Sequence, residues 1–224
     1  MNETLSMKQA KNIVDEVASA ILSMHGKIES KSREFEAKIA QIWEDQYAVD
    51  FMNEYWKTIG EIKDNDGKRF TECAEIVKEI AEGYKKVGGM QEIVRIDTHL
   101  PVYYATPLPN PFGQVKDHFM LSPDEFGFKN LETGPDECIA YLQETEDSIF
   151  KAMDELTSRL DAIHAFGNQN VQNAINSMYC TIFFEAQRFW MGLKLHSSSA
   201  INNAADSYRK TGENAEDTSL VNEK

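Results

Sequence analysis

Apolar residues recur along most of this chain at alternating steps of three and four. The first series runs Val14, Val17, Ile21, Met24, Ile28, Phe35, Ile39 and Ile42, interrupted at Lys31. A second runs Met52, Tyr55, Ile59, Ile62, Phe70, Cys73, Val77, Ile80, Tyr84 and Val87. A third runs Ile139, Leu142, Ile149, Met153, Leu156, Leu160 and Ile163, and a fourth Val171, Ile175, Met178, Ile182, Phe189, Leu193 and Ala200. Stripes of this period are the narrow seams of helices packed nearly parallel or antiparallel. They predict an all-α chain with helices over residues 4–43, 46–87, 136–165 and 169–210.

The breaks set the order of the helices. Trp43-Glu44-Asp45 interrupts the first pair and Phe166-Gly167-Asn168 the second. Connections this short force antiparallel neighbours. All six prolines fall between Pro101 and Pro135, which frees the flanking segments to be long helices. The reading is a first hairpin over 1–88, a connector over 89–134, a second hairpin over 135–212 and an acidic flexible tail over 213–224. Together the hairpins form an intramolecular four-helix bundle.

The two halves look like copies. Trp43 to Gln46 lies opposite Phe166 to Gln169 at an offset of 123, and Tyr84 to Gly88 lies opposite Tyr208 to Gly212 at 124. Two matches at nearly one offset indicate an internal repeat. The connector carries Tyr103, Tyr104, Phe112, Phe119, Phe126 and Phe128, more aromatics than a disordered linker holds, so it is expected to pack on the bundle. Its length has a geometric reason. A 40-residue helix is about 60 Å long. Hairpins packed head to tail would need about 18 extended residues to join one pole to the other.

Composition narrows the function. With 23 basic and 37 acidic side chains the net charge is −14, and no basic cluster offers a nucleic acid its phosphate contacts. No run approaches the roughly 18 apolar residues of a membrane span. Residues 1–10 lack the apolar core of a Sec-type leader. Cys73, Cys138 and Cys180 lie far apart, fitting neither a disulfide framework nor a zinc site, and are read as buried thiols.

The most informative segment is Trp43 to Trp56. Trp43 at the turn can cover the hairpin end, Ala48 permits close helix approach, and Phe51 and Trp56 follow on the inner side of the second helix. Here the chain resembles the WXG family of small secreted helical hairpins exported by type VII secretion systems. That family has a Trp-x-Gly turn followed by Ala and an aromatic. The turn glycine is replaced by Asp45, and in the second half Phe166 and Asn168 stand for tryptophan and glycine, with Gly167 between them. Asp and Asn tolerate left-handed backbone better than other non-glycine residues, which makes both replacements plausible.

Family hairpins pair as antiparallel dimers, so the resemblance implies a fusion of two hairpins in one monomeric bundle. It further implies a secreted, non-catalytic protein of a Gram-positive type VII system, read by the secretion ATPase or docked on a larger helical effector. The family's tail motif, Tyr-x-x-x-Asp/Glu, is not matched. Tyr84 and Tyr208 reach Gly88 and Gly212 at that spacing, with Glu213 one place later. A partner would then supply the export signal. The rival reading is a cytoplasmic or phage-type helical scaffold with no export role.

Two further features bear on recognition and chemistry. Residues 178–193 are apolar beyond one face, so either the connector covers the surplus or Phe189 and Trp190 anchor a partner. Catalysis finds little support: a two-metal bundle needs paired Glu-x-x-His motifs, and the nearest match is one Asp161-x-x-His164. Asp64-Asn65-Asp66-Gly67 fails as a calcium loop, with Ile62 and Cys73 at ligand positions, and reads as a polar turn or kink. The five histidines do not cluster in sequence, and neither a cofactor nor a metal is expected.

Overall fold

The computed structural model describes residues 4–88, 94–101, 127–163 and 165–221, with side chains to residue 86 in the second helix and residue 211 in the fourth. Four helices follow in order: α1 (Met7–Ile42), α2 (Gln46–Gly88), α3 (Gly134–Asp161) and α4 (Gln169–Val221). No strand occurs among the described residues, and the fold is the expected all-α bundle of two hairpins. α1 begins three residues later than the pattern predicts because Ser6 caps it. Gln9 N donates to Ser6 Oγ at 3.2 Å, and Ser6 N donates to Gln9 Oε1 at 2.8 Å, a reciprocal capping box. α3 stops at Asp161 rather than 165. The backbone of α4 stays helical to Val221, where a flexible tail is expected from 213; no proline or β-branched run interrupts it there.

The chain divides into two compact units. One is built from Met1–Ile28, Gly60–Tyr104 and Ile149–Phe189, the other from Glu29–Ile59, Ala105–Ser148 and Trp190–Lys224. The first therefore holds the end of α2 and the α3–α4 turn. The second holds the α1–α2 turn, the start of α3 and the end of α4. That is the order expected of hairpins placed head to tail, with the connector leaving α2 in one unit and entering α3 in the other. Part of the connector packs as expected: Ile96 and Thr98 are buried, and Thr98 donates to Glu75 Oε1 at 2.6 Å. Residues 102–126 lie outside the described residues, and with them the expected cover for the surplus apolar face of 178–193.

The seams show how the sequence builds these units. Most of the predicted stripe positions are buried. The gaps in the stripes are not breaks but buried small or polar residues. Ser32 fills the step between Ile28 and Phe35, Asp66 that between Ile62 and Phe70, and Thr145 that between Leu142 and Ile149. In α4 the stripe departs from the predicted phase. It runs Ile182, Ala186, Trp190, Leu193, Ser197 and Ile201, leaving Phe189 half-buried and Ala200 exposed. Two successive steps of four shift the stripe by one residue, the local change in phase that an inserted step produces in a heptad pattern. Asp64 to Gly67 is neither turn nor kink but continuous helix.

Each buried polar residue in a seam needs a partner. Thr145 returns its hydroxyl to the Tyr141 carbonyl at 2.7 Å. Ser32 accepts from the Tyr55 hydroxyl at 2.9 Å, and Tyr55 packs on Phe35 at a centroid distance of 4.9 Å and on Trp190 at 6.0 Å. Burial raises the Tyr55 hydroxyl well above its ordinary pKa, so it is present as a donor. Ser32→Ala should lower stability by about 1–3 kcal/mol by stranding that donor, whereas Lys31→Ala on the exposed side should change it by under about 0.5 kcal/mol. Denaturant unfolding of both variants checks the contrast.

Candidate functional site

The α1–α2 turn gathers most of the residues singled out in the first half. Trp43 is fully buried, with its ring 5.8 Å from Phe51 and stacked 4.8 Å from Phe128. Phe128 is brought there by two backbone bonds, Glu44 N to Gly127 O at 2.8 Å and Lys129 N to Ile42 O at 3.0 Å. Ala48 is fully buried, consistent with close packing at the start of α2. Trp56 is also buried and meets Tyr55 edge-on at 5.9 Å.

Asp45 acts differently from the left-handed residue expected. It lacks the positive φ of a turn glycine, and its Oδ1 accepts from Ala48 N at 2.9 Å. That is an N-cap: the first N–H groups of a helix have no partner within it, and an Asp or Asn oxygen supplies one. Asn168 does the same for α4, its Oδ1 accepting from Asn170 N at 3.1 Å and Val171 N at 3.3 Å. The left-handed positions of the second turn are instead Phe166, at φ 49°, and Gly167, at φ 68°. Phe166 is half-buried, unlike Trp43. The offset of 123 thus holds at the caps and at Ala48 and Val171, both fully buried, but not in the backbone of the turns.

Tyr84 near the end of α2 and Tyr208 within α4 meet residues at or beside the turn of the other hairpin. Within the first unit Tyr84 lies 3.5 Å from Asn168 Nδ2. Within the second, Tyr208 is buried, 6.1 Å from Phe128 and 6.4 Å from Tyr47. Both therefore pack within their units. The side chain of Glu213 lies outside the described residues. Trp190 is buried in the seam against Tyr55, which removes it as a surface anchor; Phe189 is half-buried beside Arg188. Met191 and Leu195, one turn apart on α4, are exposed. Cys73 and Cys138 are buried, with their thiols pushed up to about 12 by burial, but Cys180 is exposed, contrary to expectation.

The sequence reading missed one arrangement. In the first unit His25 of α1 and Asp66 of α2, both buried, face each other with His25 Nε2 2.8 Å from Asp66 Oδ2. Asp66 Oδ1 is sealed from solvent without a hydrogen-bond partner among the described residues. Beside His25, α1, α2 and the 94–101 segment line an open cleft of about 510 Å³, where Lys63 and Lys68 are interspersed with Asp64 and Glu72 and Leu100 adds apolar surface. The signal was available: Asp66 occupies a seam position, and His25 adjoins Met24 in the α1 stripe. Separation by 41 residues hid the pairing. Among the described residues no group of three or more His, Cys, Asp or Glu side chains converges as a metal site would require, and no helix is long and apolar enough to cross a membrane. His118 and His164 lie outside the described residues.

The chain matches no protein-family model, no curated protein and no solved structure.

Two outcomes follow from this geometry. Asp45→Ala and Asn168→Ala should each cost about 1 kcal/mol through loss of an N-cap, measurable by denaturant unfolding. The second concerns Asp66, whose carboxyl burial pushes above its ordinary range while the hydrogen bond and charge of His25 pull it down. A proton held more tightly in the folded than in the unfolded state stabilises the fold fully below the unfolded carboxyl value. That contribution is lost as pH rises through the raised folded value. The melting temperature of the wild type minus that of Asp66→Asn should therefore fall from about pH 4 towards pH 8. A difference that climbs with pH contradicts it.

Proposed function

We propose that this chain is a non-catalytic protein that works by presenting helical surfaces to other proteins. We further propose that it is a secreted component or targeting partner of a Gram-positive type VII secretion system. The observation that carries the reading is the α1–α2 turn. Trp43, Ala48 and Phe51 converge there at the spacing of a Trp-x-Gly hairpin, with Asp45 capping α2 where the family has glycine. The matching cap at Asn168 supports a second hairpin of the same kind in one chain. Exposed Met191 and Leu195 supply apolar contact area on a helix surface, the type of face a helical partner reads.

In this mechanism the secretion ATPase or a larger helical effector recognises the bundle. No Tyr-x-x-x-Asp/Glu motif follows Tyr84 or Tyr208, so the export signal comes from the partner. The test expresses the tagged chain in a Gram-positive host with and without its type VII ATPase. Accumulation in the culture supernatant only when the ATPase is present is the expected outcome. Retention in the cell pellet of both strains would overturn export and leave the cytoplasmic scaffold reading.

A further inference from the structure

The exposed face of α4 itself indicates what covers it. Among the described residues the three most exposed large apolar side chains all lie on this one helix: Leu195 at 73%, Phe184 at 67% and Met191 at 63%. Cys180, one turn before Phe184, is exposed as well. α4 is a single uninterrupted helix, so the places of these residues around it follow from its period alone. At about 100° per residue the four fall within about 60° of one another, one narrow stripe. A contiguous apolar surface of this kind marks a contact with another protein. We propose that the partner is a second copy of this chain, the two α4 helices packing antiparallel about a two-fold axis between Gln187 and Arg188. This pairing rests on the reading of the chain as a presenter of helical surfaces and requires nothing of export.

The stripe is self-complementary, which is what a two-fold contact requires. An antiparallel pair with its axis at that point sets Phe184 against Met191 of the second copy, and Cys180 against its Leu195. The same operation continues outward into polar residues. Ser177 falls opposite Ser198 and Asn173 opposite Asn202, all four in the same sector of the helix. The contact is therefore apolar over about 22 Å at its centre, at about 1.5 Å per residue, and polar at both ends. An apolar centre inside a polar rim is the anatomy of a specific interface. An unrelated partner would not require the residues of α4 to repeat in reverse order about one point. A second copy does.

Charge permits the pairing. Each chain has a net charge of −14, but Arg188, beside the axis, is already paired with Glu185 at 3.1 Å. Gln187 of the second copy lies opposite Arg188 and offers a carbonyl oxygen to the guanidinium. At physiological salt the repulsion between the two chains is screened beyond about 8 Å. A contact made by one helix face falls below the about 800 Å² per partner of a standard interface, so the dimer is a weak one.

The test is sedimentation of the purified full chain from about 1 µM to about 300 µM in about 0.15 M salt, where a monomer–dimer equilibrium is expected. Phe184→Glu and Met191→Glu change side chains exposed in the single chain. Each should keep the melting temperature while weakening the dimer about tenfold or more. Diamide oxidation checks the register, because Cys180 is exposed while Cys73 and Cys138 are buried. Leu195→Cys should give a covalent dimer and Leu195→Cys/Cys180→Ser should not. The wild type should stay uncross-linked, since its two Cys180 thiols lie about 22 Å apart along the pair. A chain monomeric throughout, its stripe left to residues 102–126 or to another protein, would overturn the pairing. So would a wild type that cross-links as readily as Leu195→Cys. Only this chain is present in these measurements, so either failure leaves recognition of other proteins standing, and export is read separately in the two strains.

Discussion

The fold turns on how a helix can be stopped and another started within three residues. Between Ile42 and Gln46 the chain must reverse, and the first N–H groups of α2 must still find acceptors. Asp45 meets that need from its own side chain, and Asn168 does so for α4. With the caps supplied locally, the turns stay short. Short turns lay the helices of each hairpin side by side, so that their seams can be buried. Trp43, wedged between Phe51 and Phe128, closes the first turn with apolar area. The second turn places Phe166 and Gly167 in left-handed backbone.

Much of this was legible in the sequence. The 3.5-residue stripes located all four helices because a seam buried along its length leaves little freedom in period. The turns were placed correctly because aromatic and Asx residues punctuate the stripes there. What escaped was chemistry inside the stripes. The first stripe looked interrupted at Lys31, beside Ser32, and Asp66 sat in what looked like a polar turn or kink, since a polar residue in a seam is unfavourable unless paired. Their partners, Tyr55 and His25, lie 23 and 41 residues away on a neighbouring helix. Pairing across helices depends on register between elements, which a one-dimensional pattern does not carry. The phase shift at Ala186 and Trp190 escaped for a related reason: both Phe189 and Trp190 are apolar, and only packing chooses between them.

The two units also divide the chemistry. The second contains the aromatic turn, apolar and closely packed, where substitutions act on stability. The first contains the buried acid–imidazole pair, a costly arrangement for a bundle whose seam could have been filled with leucine there. Such polar cores fix register when fully satisfied, and among the described residues Asp66 keeps one oxygen without a partner.

Gly127 shows how tightly one point of the connector is bound to the far end of the sequence. Its φ of +71° already favours glycine, and a Cβ there would sit 2.3 Å from the Tyr208 ring. No side chain can be added unless that ring moves or shrinks. Positions 127 and 208 are therefore free to change only in concert, a smaller residue at position 208 of α4 being the precondition for a larger one before α3. Drift at either place alone would be purged, so the pair should leave a joint imprint on any set of descendants of this chain.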